Sequence, residues 1–137
     1  MISDCTAVPC IPTKDVAAAR RFYEGVLGLH VKDENMGGVT YELGSGTLFL
    51  YESEFAGLAK HTLVNLESDH VDDDIADLRD KGVRFETYPD LDYVSFDEDG
   101  VATMGEGDMQ GHGVWFKDPD GNILALFETA DVPAGVS

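Results

Sequence analysis

The stretch Trp115-Phe116-Lys117-Asp118-Pro119-Asp120-Gly121-Asn122-Ile123-Leu124-Ala125-Leu126-Phe127-Glu128 decides the reading of this chain. Two apolar runs flank Asp118-Pro119-Asp120-Gly121-Asn122. Proline presets φ for a turn, and glycine tolerates the positive φ that reverses the chain. Two apolar strands joined in this way form a hairpin, and the second ends on the carboxylate of Glu128.

Working outward, the same chemistry marks out two halves. Residues 5–12 form a short apolar run closed by Pro12, a first strand. Asp15 is placed to cap a helix that ends near Gly28. Its apolar positions 16, 19, 23 and 26 recur at helical spacing, so one face packs on a sheet. After a polar stretch, Thr40 to Leu43 and Thr47 to Tyr51 read as strands. The second half repeats the plan. His61 to Glu67 alternates as a strand does, and Asp69 to Leu78 is a helix with Val71, Ile75 and Leu78 on one face. Lys81-Gly82 stops it, and Val83-Arg84-Phe85 begins a strand. Residues 88–112 are acidic and Gly-rich, with a short strand at Val101 to Met104. Leu48-Phe49-Leu50-Tyr51-Glu52 is echoed by Leu124-Ala125-Leu126-Phe127-Glu128. These observations predict an α+β single domain over residues 1–137, with module one at about 5–53 and module two at about 60–129. Neither half can bury a sheet face alone, so the two are expected to pair side by side.

Composition narrows the function. The formal net charge is −18, from 9 Lys and Arg against 27 Asp and Glu. Nucleic-acid binding needs basic surface, and anionic membranes repel such a chain. No apolar run reaches the roughly 20 residues that span a bilayer. Met1-Ile2-Ser3-Asp4 lacks a basic, then apolar, leader pattern, so the expected location is cytoplasmic. Cys5 and Cys10, on one strand, would stand roughly 16 Å apart, too far for a disulfide. They are expected to be buried thiols.

The anchors Asp15 through Phe22-Tyr23-Glu24-Gly25-Val26-Leu27-Gly28-Leu29, together with Trp115 through Glu128, resemble those of the vicinal oxygen chelate superfamily. That superfamily includes glyoxalase I, extradiol dioxygenases, fosfomycin-resistance enzymes and bleomycin-binding proteins. The resemblance runs from about residue 5 to 129 and implies two βαβββ modules forming a curved mixed sheet with an open groove. It also implies where a metal would be held: one ligand from the first and one from the last strand of each module. Carried over by position, these are Val8, Phe49, His61 (Leu63 if glyoxalase I sets the alignment) and Ala125. A catalytic divalent ion needs about three protein ligands and an open position. Valine, phenylalanine and alanine supply none, so neither metal nor other cofactor is expected. Glu52 and Glu128 lie three residues past the ligand positions, an odd offset that turns them to the other sheet face.

No nucleophile elbow or phosphate-binding loop occurs. Asp72-Asp73-Asp74 falls on a helix and reads as a solvated first turn. His70 and His112 read as surface residues, and His30 has no evident chemical neighbour. His61 has two readings, a candidate base near neutral pH or a strand histidine with a satisfied partner. Strand parity places Phe49, Tyr51, His61, Leu63, Asn65, Trp115, Ala125 and Phe127 along the groove. The acids Asp90, Asp92, Asp97, Glu98, Asp99, Glu106 and Asp108 are expected at its rim. An apolar floor with an acidic rim suits a small cationic or aromatic molecule. This is similar to the bleomycin-binding branch, whose members are metal-free dimers, and implies a homodimer with a small-molecule ligand. The alternative is a divalent-metal-dependent lyase, isomerase, dioxygenase or thiol transferase with displaced ligands.

Overall fold

The computed structural model describes residues 1–35, 37–105 and 111–129. The chain divides into two compact units. The first is Met1–Leu63 together with Asp118–Asn122, and the second runs over Val64–Lys117 and from Ile123 onward. The architecture is α+β, as the periodicities predict, with one sheet in each unit. Among the described residues no helix is long and apolar enough to cross a membrane.

In the first unit, β1 (Cys10–Thr13), β2 (His30–Asn35), β3 (Gly38–Leu43) and β4 (Gly46–Glu52) form a sheet in the order β1-β4-β3-β2. β1 runs parallel to β4, while the β2–β3 and β3–β4 pairs are antiparallel. Helix α1 (Val16–Arg20) starts where the Asp15 carboxylate accepts the Ala18 amide at 3.1 Å. It continues as a π-helical segment, Arg21–Val26. One sheet face is buried with the helix: Ile11, Val39, Tyr41, Leu48 and Leu50 alternate inward, alongside Ala19 and Tyr23. Period-two alternation turns Phe49 and Tyr51 to the opposite face, half-buried and stacked with ring centroids 6.1 Å apart. Arg20 fixes the edge strand. Its guanidinium pairs with Glu24 at 2.6 Å and with Glu34 on β2, and Tyr41 donates to Glu24 at 2.9 Å. The Arg20 hydrogen bond, reinforced by Tyr41, holds the Glu24 carboxyl below its usual range.

The turn Asp118–Asn122 belongs to this unit and explains why its sequence is so informative. Asp118 is buried, and its carboxylate accepts from the Tyr23 hydroxyl at 2.6 Å, the Asn122 side-chain amide at 2.9 Å, and the Asp120 and Asn122 backbone amides, each at 2.9 Å. Burial raises the carboxyl pKa, and those donors oppose the rise. Asn122 also donates to the Pro12 carbonyl at 2.7 Å and accepts the Gly57 amide at 3.0 Å. Only glycine fits at 57, where φ is +80° and a Cβ would lie 2.0 Å from the Asp120 carbonyl oxygen.

In the second unit, β5 (Thr62–Ser68, its first two residues in the first unit), β7 (Val94–Phe96), β8 (Ala102–Met104), β9 (Gly111–Lys117) and β10 (Ile123–Glu128) run in the order β5-β10-β9-β8-β7. The short β6 (Phe85–Glu86) pairs with β9. Helix α2 (Val71–Asp80) buries Val71, Ile75 and Leu78, the face its spacing predicts. β10 is buried on both faces from Ile123 to Phe127.

The structure differs from the sequence reading at several places. β1 begins at Cys10, five residues later than expected, so Cys5 precedes the strand and Cys10 stands at its exposed start. Both thiols are exposed rather than buried. β2 and β7 are additional strands. Each lies at a sheet edge, where one neighbour suffices and apolar alternation is not demanded.

Replacing Tyr23 by Phe removes one donor from a buried carboxylate and is expected to cost about 1–3 kcal/mol of unfolding free energy. Urea denaturation of Tyr23→Phe against the parent protein measures this, and equal midpoints would contradict the assignment.

Candidate functional site

The second unit assembles an aromatic cluster from residues remote in sequence. Ala125 pairs with Trp115 across β9 and β10, and Phe127 pairs with Gly113. A Cβ at Gly113 would lie 2.5 Å from the Phe127 ring and 2.1 Å from the Leu126 carbonyl oxygen. With no side chain there, the Phe127 ring reaches Trp115, their centroids 5.0 Å apart at 70°. Tyr88 meets Trp115 edge-on at 5.5 Å, and Phe96 meets it tilted at 5.9 Å. Ala102, Trp115, Ile123, Ala125 and Phe127 are buried, with Tyr88, Leu91, Val94, Phe96 and Met104 packed around them.

The expected groove residues therefore separate into groups. Phe49 and Tyr51 stack, half-buried, on the first-sheet face opposite the buried one. Trp115, Ala125 and Phe127 come together in the second unit. His61 is exposed just before β5, its Nδ1 3.0 Å from the Thr62 carbonyl oxygen. Leu63 is half-buried and Asn65 exposed on β5, and none of these three belongs to the buried cluster. Of the positions where the family resemblance would place metal ligands, Val8 is 43% exposed ahead of β1, Phe49 half-buried, His61 exposed and Ala125 buried. Three of the four carry no donor atom in their side chains. The residues present do not fit the ion.

Tyr88, Leu91 and Phe96 were not among the residues the sequence pointed to. The available signal was alternation in Val94-Ser95-Phe96 and Ala102-Thr103-Met104 around the turn Asp97-Glu98-Asp99-Gly100, where Gly100 has φ +87°. The Asp97 carboxylate accepts the Asp99 and Val101 amides, each at 2.9 Å, and so shapes the hairpin. Asp97 and Asp99 line an open cavity of about 450 Å³ beside α2, with Asp72, Arg79 and His112. Glu106 and Asp108 lie outside the described residues.

His112 is more constrained than a surface histidine. Its Nε2 is 2.6 Å from Asp72 on α2, its Nδ1 is 3.3 Å from Glu128 at the end of β10, and its backbone amide donates to Glu128 at 3.2 Å. The Asp72 hydrogen bond, then the Glu128 charge, raise its pKa, with partial burial opposing them. His70 begins α2 and is raised chiefly by Asp74.

Residues 6–126 match the model of the Glyoxalase/Bleomycin resistance protein/Dioxygenase superfamily. The chain belongs to that superfamily. No curated protein matches the sequence significantly. Among solved structures, a bleomycin resistance determinant encoded on transposon Tn5 is 22% identical, with a TM-score of 0.64 over 91% of this chain and 98% of that one. TnmS3, an antibiotic binding protein from Streptomyces sp. CB03234, is 20% identical, with a TM-score of 0.63 over 91% and 97%. Lactoylglutathione lyase from Agrobacterium tumefaciens is 17% identical, with a TM-score of 0.65 over 98% of both chains. At these identities the likeness is one of fold.

The His112 contacts carry a pH dependence. Its folded pKa lies above the ordinary value near 6.5, so its stabilisation is complete below about pH 6 and fades as pH rises through the raised value. His70 acts over the same window, so the measurement is a difference between proteins. Between pH 6 and 8.5 the urea midpoint is expected to fall more for the parent than for His112→Gln. Parallel pH profiles would contradict the assignment.

Proposed function

We propose that this superfamily member binds a small aromatic organic molecule without a metal, as a homodimer. The observation that carries the reading is substitution at the positions where relatives would hold an ion. Val8, Phe49 and Ala125 stand there, and Trp115 and Phe127 gather on the Ala125 face. Donor-poor, aromatic surroundings recognise ligands by burying apolar area and by ring contacts, and a few polar groups set orientation. The net charge of −18 favours neutral or cationic compounds over anions. Likeness of fold to a bleomycin resistance determinant and to an antibiotic binding protein supports the same direction.

The rival, a metal-dependent lyase, isomerase, dioxygenase or thiol transferase, requires a displaced ligand set. Among the described residues, no three His, Cys, Asp or Glu side chains gather where they could hold one ion. His61 as a metal-free base would act from an exposed position before β5.

Screening a chemically broad panel of neutral and cationic aromatic compounds by equilibrium dialysis tests the reading. Saturable, stoichiometric binding of at least one planar compound is expected, together with a dimer by sedimentation. A panel without a saturable binder would overturn the ligand-binding reading, and a monomer would overturn the dimer.

A further inference from the structure

We propose that the Tyr88 hydroxyl is the donor by which the second unit selects planar aromatic ligands carrying a neutral carbonyl oxygen. This rests on the reading that the protein binds an aromatic molecule, and it adds the group that sets specificity.

The hydroxyl of Tyr88 is buried and, among the described residues, has no hydrogen-bond partner. Buried hydroxyls are nearly always paired, because an unpaired one forfeits its bonds to water and receives nothing in return. Phenylalanine would supply the same edge-on contact with Trp115 without that cost. The cluster around it cannot supply the missing acceptor, since Leu91, Phe96, Met104, Trp115 and Phe127 offer no carboxylate, amide or hydroxyl oxygen in their side chains. An acceptor from outside the chain completes the bond.

Its chemistry follows from the surroundings. Burial, and secondarily the charge of Glu86, keep the phenol protonated, so it acts as a donor. A carboxylate or phosphate acceptor would approach against the net charge of −18, whereas a carbonyl oxygen accepts without carrying charge. The rings of Tyr88, Phe96 and Phe127 all meet Trp115 within 6 Å; Trp115 and Phe127 are buried, and the partly buried Tyr88 and Phe96 offer the ring edges against which a flat ring system would pack. Tyr88, Leu91 and Phe96 are only partly buried, so an incoming molecule meets them first, and the enclosed Tyr88 hydroxyl is reached only when their side chains move aside.

The test compares 1-indanone with indane, a bicyclic pair differing by one carbonyl oxygen, by equilibrium dialysis on the full chain and on Tyr88→Phe. A neutral hydrogen bond changes affinity by up to about tenfold, so the parent is expected to prefer indanone by about five- to tenfold. In Tyr88→Phe the ratio is expected to collapse to near one, and the melting temperature to equal or exceed that of the parent, since no internal bond is lost. Equal affinity of the parent for both compounds, or a preference that survives in Tyr88→Phe, overturns the assignment while leaving aromatic binding intact. A melting temperature that falls in Tyr88→Phe also overturns it, by showing that the hydroxyl has an internal partner. Absence of binding by either compound and by every other planar aromatic overturns both this assignment and the reading on which it rests.

Discussion

The carboxylate of Asp118 is the constraint on which the first unit depends. A buried carboxylate is tolerated only when its oxygens are satisfied, and four donors converge on this one. One of them, the Tyr23 hydroxyl, comes from the helical segment 95 residues earlier. Two are amides of the turn itself, so the group that shapes the turn also receives the helix. Asn122 extends the network to β1 through the Pro12 carbonyl and to the 56–58 loop through Gly57. Burial also raises the pKa of the Tyr23 phenol, with the Asp118 charge adding to it, so tyrosine remains the donor and aspartate the acceptor. The hairpin sequence is thus a set of matched hydrogen-bonding partners as well as a turn signal.

Each unit also gathers aromatic side chains on its sheet. In the first unit the sheet face away from α1 carries the stacked Phe49 and Tyr51. In the second, Gly113 clears the space in which Phe127 and Trp115 meet, and the 88–96 segment lays Tyr88 and Phe96 against them. Aromatic rings contribute contact area and edge-to-face attraction, and they supply no lone pairs suited to a hard or borderline cation. Beside α2, His112 joins Asp72 and Glu128.

The parts of this fold legible in the sequence are those governed by local rules. The cap at Asp15, the helical spacing of Val71, Ile75 and Leu78, and the Asp-Pro-Asp-Gly turn each depend on neighbours within a few residues. β2 escaped because His30–Asn35 is exposed along its whole length and shows no apolar alternation. β7 escaped because three residues in an acidic stretch are too few to show a period. The role of His112 was not visible either, since Asp72 lies 40 residues away and only the fold brings them to 2.6 Å. Tyr88 is the sharpest case: an unpartnered hydroxyl is a property of packing, and no spacing in the sequence announces it.

Everything proposed for function turns on whether aromatic and aliphatic side chains have replaced a metal site. Chelator-treated protein dialysed separately against Mn²⁺, Fe²⁺, Ni²⁺ and Zn²⁺, with metal content then determined by mass spectrometry, addresses this directly. Metal content indistinguishable from the buffer is the outcome this account requires. One ion retained per chain would contradict it.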